Sequence, residues 1–181
     1  MNWLELWRHT EGFLRGMLVK PPLPGAQTLS LELGSGYNLA AEEESIRRRI
    51  VDFMRSQMGK PYRLGAEVKP GQEDNAVEWD CSEATEAAYR TVGKFLPDGA
   101  QQQHDFCQRV VKPRIGDLGF LWSDKRKMIG HVMVASDHRM LIHAVGGRGV
   151  VEDPAEMWER NPRWRGWRRH IDFARPVEDR A

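Results

Sequence analysis

Cysteine is scarce in this chain, long apolar runs are missing, and neither sign of charge dominates. Two cysteines, Cys81 and Cys107, occur in 181 residues, too few for a disulfide framework at this size. No CxxC or HxxxH spacing is present, so a zinc site is not expected. No stretch approaches the ~18 apolar residues of a membrane-spanning helix, and membrane insertion is not expected. The opening Met1-Asn2-Trp3-Leu4-Glu5-Leu6-Trp7-Arg8-His9 carries charge too early for a secretory signal. The expectation is a cytoplasmic site of synthesis, with lysis or a phage particle as routes outward. A formal net charge of +1 supplies no field for nucleic acid or an anionic surface, so no nucleic-acid partner is expected.

What is present is ordinary globular composition, 40% hydrophobic and 29% charged, long enough for one domain with a core. Leu4, Trp7, Phe13 and Leu14 place a helical stripe in residues 1–20, stopped by Pro21-Pro22-Leu23-Pro24-Gly25. Residues 26–40 read as loop or short strand. Residues 41–58 read as an amphipathic helix, with Ile46, Ile50, Phe53, Met54 and Met58 inward and Glu42, Glu43, Arg47, Arg48 and Arg49 in water. A polar loop over 65–78 follows, and then a helix from Cys81 to Val92, ended by Gly93. Beyond residue 115 the pattern turns to short β-prone runs at 119–122, 130–135, 140–145 and 149–152. Helices first and an antiparallel sheet after give an α+β fold. The expected organisation is an N-terminal extension over 1–40, a catalytic domain over 41–175 and a tail over 176–181. The Trp158, Trp164 and Trp167 rings among arginines are expected to pack on the core, with the guanidinium heads in water.

Cys81, in Trp79-Asp80-Cys81-Ser82-Glu83, falls where a loop becomes a helix. The first amides of a helix lack internal partners and carry positive potential, which favours a thiolate and offers donors to an oxyanion. The bland alternative is a small core residue facing Ala84 and Ala88. His131 and His143 lie on adjacent expected strands. With Ser136, Asp137 and His138 as the turn, both stand six residues from Asp137 and oppose each other across the hairpin. One imidazole then orients the other. His104 and His138 read as surface and turn residues, and Cys107 as structural.

Five segments in order resemble the NlpC/P60 cell-wall peptidases: Gly59-Lys60-Pro61-Tyr62-Arg63-Leu64-Gly65, Asp80-Cys81-Ser82, Ile115-Gly116-Asp117-Leu118-Gly119-Phe120, Gly130-His131-Val132-Met133-Val134, and Leu141-Ile142-His143-Ala144. The resemblance implies a papain-like α+β fold with the Cys helix packed on a sheet bearing both His. It implies a Cys81-His131-His143 triad that hydrolyses a peptidoglycan stem peptide through a thioester, typically at γ-D-glutamate–diaminopimelate or –lysine, without metal or organic cofactor. It places Tyr62, Asp80 and Ser82 where the stem peptide's amine end is received. Glu83 stands where the family has Gly, which is expected to crowd or recharge that pocket, and the 66–78 loop is a candidate lid or specificity loop. The C-terminal pattern resembles the phage and gene-transfer-agent branch, which implies phage tail proteins as partners. Two alternatives stay open: another thiol acyl transfer or deamidation on the same fold, and a tail component that binds wall peptides without cutting them.

Overall fold

The computed structural model describes residues 35–174; the expected helix in 1–20 and the tail over 176–181 lie outside them. Helix α1 (Ser35–Ser56) is followed by α2 (Cys81–Arg90), α3 (Ala100–Phe106), strands β1 (Gln108–Val110), β2 (Leu118–Ser123), β3 (Met128–Ala135), β4 (Met140–Val145) and β5 (Gly149–Pro154), then α4 (Ala155–Glu159) and β6 (Trp164–Arg169). The strands form one antiparallel sheet in the order β1-β6-β2-β3-β4-β5, so the α+β expectation holds. Among the described residues no helix is long and apolar enough to cross a membrane.

Alternation along the strands sorts the side chains into two layers. Leu118, Phe120, Val132, Val134, Ile142 and Ala144 face α1 and α2, whose Ile50, Val51, Met54, Ala84 and Ala88 complete the main core. Leu121, Met133, Ala135 and Leu141 face the other way, onto Ala155, Trp158, Trp164 and Trp167. Trp164 and Trp167 share that face because β6 slips register against β2 between Gly119 and Leu121, with Gly166 at φ 90°.

Helix α1 begins earlier and ends sooner than its periodicity suggests: residues 35–40 are helical rather than loop, and Met58 lies beyond the end, 47% exposed. Arg47 was expected in water but is wholly buried. Its guanidinium reaches Asp117, Ile115 O and Glu43, and the Asp117 carboxylate also binds Arg169. Helix α2 ends at Arg90, two residues short of the expected Val92, and a turn carries the chain to Gly93, φ 71°, after which the Lys94 amide returns to Tyr89 O at 3.0 Å in a left-handed cap.

The β3–β4 hairpin departs from the expected register. Val134 faces Ile142 and Ala135 faces Leu141, so His143 falls level with Met133, two residues from His131. A slip of two preserves the face of every side chain, and both imidazoles remain on one side of the sheet.

Candidate active site

Asp80 caps α2, its Oδ1 accepting from the Glu83 amide at 2.8 Å and from Ser82 Oγ at 3.0 Å. Ala84 N closes the first helical hydrogen bond on Asp80 O. Among the described residues this leaves the Cys81 and Ser82 amides uncommitted, as expected for the first helical turn. The β3–β4 ladder begins only at Val134, so the Val132 N–H is free of it, and the Val132, Ser82 and Cys81 amides lie near enough the Cys81 sulfur to favour its thiolate. The thiol therefore meets the strand backbone one residue from His131.

His131 Nε2 lies 2.7 Å from His143 Nδ1. His143 is fully buried, and its Nε2 is 3.1 Å from Asp153 Oδ2. Asp153 accepts two hydrogen bonds from Arg148, at 2.8 and 2.7 Å, and one from Trp158 Nε1 at 3.2 Å. The Trp158 ring stands edge-on to His143 at 4.7 Å and tilted over His131 at 6.1 Å. Sequence reading missed Asp153 and Arg148 and assigned Trp158 to the core alone. The available signal was parity: Asp153 shares a face with His143, which is paired with Val151.

The expected low pKa of Cys81 does not appear. Burial pushes the thiol up to about 11, outweighing the pull of the three amides, and burial, with the second imidazole of His143 beside it, lowers His131 to about 3. Among the described residues no hydrogen bond joins Cys81 to His131, and with the thiol near 11 and the imidazole near 3 both groups are neutral at pH 7. Cys107 is buried, its thiol pushed by burial up to about 12.

A cleft of about 310 Å³ opens over Cys81, lined by Asp80, Ser82, Gly65, Arg126 and Gly130 among others. Asp80 Oδ2 accepts from Gly65 N at 3.1 Å, so its carboxylate is partly committed within the protein. Tyr62 pairs with Trp79 by an isolated bridge, and its ring lies over Gly146 in the β4–β5 turn. Burial, then the nearby Cys81 and Asp80 charges, raise its phenol pKa. Arg126, on the β2–β3 turn, was not singled out in the sequence because an arginine in a polar turn carries no pattern.

Glu83 does not occupy the pocket as expected. Its carboxylate accepts from Val68 N at 3.2 Å and Arg90 Nη2 at 3.1 Å. Arg90 also binds Glu73, Glu86 and Val68 O. Glu83 thus straps the 66–78 loop onto α2.

A sequence profile of the NlpC/P60 family matches residues 59–171. A probable endopeptidase of Corynebacterium glutamicum (strain R) is 32% identical over 124 residues, 67% of this chain and 54% of the relative, so the chain spans about half that relative's length. The solved peptidoglycan hydrolase RipB of Mycobacterium tuberculosis shares the fold at a TM-score of 0.59 and 22% identity, over 93% of this chain and 80% of that one. RipD of the same organism, described as a non-catalytic NlpC/p60 domain protein adapted to peptidoglycan binding, shares it at a TM-score of 0.56 and 21% identity, over 70% and 97%.

Proposed function

The chain belongs to the NlpC/P60 family, and from that premise we propose that it is a cysteine endopeptidase hydrolysing an amide bond in peptidoglycan stem peptides. The observation that carries this reading is one juxtaposition. A helix-start thiol, with two uncommitted amides beside it, touches the strand next to an imidazole hydrogen-bonded to a second, buried imidazole. A structural cysteine needs none of these neighbours.

In this mechanism His131 takes the thiol proton as the Cys81 sulfur attacks the amide carbonyl. The two neutral groups make proton transfer part of the attack rather than a step completed beforehand, and a thiolate of high pKa is intrinsically the stronger nucleophile. The Cys81 and Ser82 amides receive the oxyanion. The His131 imidazolium then protonates the leaving amine, the C–N bond breaks and a thioester remains. Water, deprotonated by His131, hydrolyses the thioester and restores the thiol. His143 holds His131 in orientation. The cleft carries a carboxylate in Asp80 and a guanidinium in Arg126, which suits a stem peptide bearing both ammonium and carboxylate groups. Asp80, Ser82 and Tyr62 receive the amine end, and the cut falls between γ-D-glutamate and the diamino acid.

Digestion of purified peptidoglycan, with mass spectrometry of the released muropeptides, tests this. Cys81→Ala and His131→Ala should each abolish release while the circular dichroism stays native. Equal digestion by Cys81→Ala overturns the reading. The fold likeness to RipD supports a second reading, wall binding without cleavage; intact sacculi sedimenting with wild-type protein and yielding no muropeptides would favour it.

A further inference from the structure

His143 is sealed in the protein with both ring nitrogens engaged, Nδ1 by His131 and Nε2 by Asp153. Asp153 is itself buried and receives four hydrogen bonds, from His143, Trp158 and both ends of the Arg148 fork. Beside a guanidinium in bidentate contact a carboxylate is ionised and can only accept; the Arg148 pairing, against some burial, holds its pKa at about 2. His143 Nε2 therefore carries the hydrogen. A neutral imidazole has one N–H, so His143 Nδ1 is an acceptor, and the 2.7 Å contact requires that His131 Nε2 donate. The remaining nitrogen of His131, Nδ1, is then left with its lone pair.

We propose that Asp153, held by Arg148 and Trp158, is a positioning residue that selects Nδ1 of His131 as the base, acting through the tautomer of His143. The inference rests on the thiol–imidazole reading of the site. The device works only while His143 stays neutral. Were it an imidazolium, both its nitrogens would donate, His131 Nε2 would accept, and the His131 proton would move to Nδ1 and silence the base. The groups facing His143 are His131 from β3, Asp153 from β5, Arg148 from the β4–β5 turn and Trp158 from α4. Burial lowers the pKa of His143, Asp153 raises it, and the Arg148 charge lowers it again. Arg148 thus lets a carboxylate orient the ring without protonating it.

The test uses the full chain. Long-range ¹H–¹⁵N correlation spectra of the imidazoles should show His131 and His143 in the Nε2–H form in wild type. Asp153→Leu, which removes the acceptor, should move His131 to a mixed or Nδ1–H form and lower kcat on muropeptides ~10–100-fold, with KM changed less than ~2-fold. Asp153→Asn keeps an acceptor oxygen and should restore the tautomer, while shifting the acid limb of kcat/KM to lower pH. Arg148→Met should shift that limb to higher pH. A merely structural role would move none of these opposite ways. An Nδ1–H His131 in wild type overturns the proposal, and that measurement stands even if Asp153→Leu does not fold. So does a folded Asp153→Leu with wild-type tautomers and kcat. If wild type cuts no muropeptide yet shows both Nε2–H forms that Asp153→Leu loses, the relay stands and the peptidase reading fails.

Discussion

Replacing Asp117 with asparagine should unfold the protein at markedly milder conditions, although Asp117 takes no part in the chemistry. Its side chain is fully buried, as is that of Arg47, and Arg169 is 15% exposed. Oδ1 accepts from Arg47 Nη1 at 2.9 Å and Arg169 Nε at 3.0 Å. Oδ2 accepts from Arg169 Nη2 and the Arg114 amide, both at 2.8 Å. An amide in this place keeps one acceptor, turns an NH₂ toward a donor, and withdraws the charge that balances two guanidinium groups. Removing one partner of a buried pair costs about 3–5 kcal/mol. Arg47 retains Glu43 at 2.8 Å and Ile115 O at 3.0 Å, which places the loss at the lower end, about 3 kcal/mol. For a body of this size each kcal/mol lowers Tm by about 2–4 °C, so the midpoint should fall by ~6–12 °C.

Urea unfolding followed by tryptophan fluorescence measures this directly, with an unchanged m-value as evidence that only stability moved. Arg47→Met should cost less, since Asp117 keeps Arg169 and the change deletes Nη2, a buried nitrogen without a partner. A loss under ~1 kcal/mol for Asp117→Asn would class the network with surface ion pairs and refute the reasoning; so would an Arg47→Met loss larger than that of Asp117→Asn.

Burial holds His131 near 3 against an ordinary 6.5, so the unfolded chain binds its proton first. Stability is intact above ~6.5 and declines as pH falls toward 3, by up to ~1.4 kcal/mol per unit. Urea midpoints between pH 7.5 and 4.5 should fall less for His131→Gln than for wild type, and parallel curves would contradict this. Gly149→Ala places a Cβ 2.3 Å from Lys60 O at a φ of +76°, so it should cost ~2 kcal/mol or more; an unchanged Tm would disprove the close packing of 59–61 on β5. Arg90→Met removes the strap on the 66–78 loop, and limited proteolysis should then cut between residues 66 and 78 faster, with cutting at the wild-type rate counting against an anchored loop.

The elements legible in the sequence are those whose pattern is uninterrupted. Strand β4 occupies the expected residues, and α2 begins at Cys81, where Asp80 supplies the cap. Strand β6 is hidden because the irregularity at Gly166 breaks its alternation and puts two tryptophans three apart on one face. Strand β1 has three residues, too few for any period to register. Helix α3 runs through Gln101, Gln102 and Gln103 without an apolar stripe, and only its contacts reveal it: Gln103 binds Thr85 and Ser82 O. Arg47 was misread because a charged residue on a helix is solvated unless a partner meets it, and Asp117 lies 70 positions away.

At the site, the two-residue period settles which side of the sheet a residue faces but leaves its neighbour open. His131 and His143 meet although the hairpin register is two residues from the expected one, because diagonal neighbours on a shared face, roughly 7–8 Å apart, are within reach of aromatic rings. The same rule admits Asp153: opposite His143 stands Val151, and Asp153 is the next residue of that parity. Among same-face candidates the choice falls to length and charge, here an imidazole that can span a diagonal and a carboxylate that Arg148 holds in place. The thiol pKa is a different kind of quantity. A helix start reads directly from Asp80-Cys81, but the desolvation that overrides it comes from layers packed around the sulfur, and no local pattern encodes them. Sequence therefore reports which groups can meet at this site, and packing decides the protonation state in which they do.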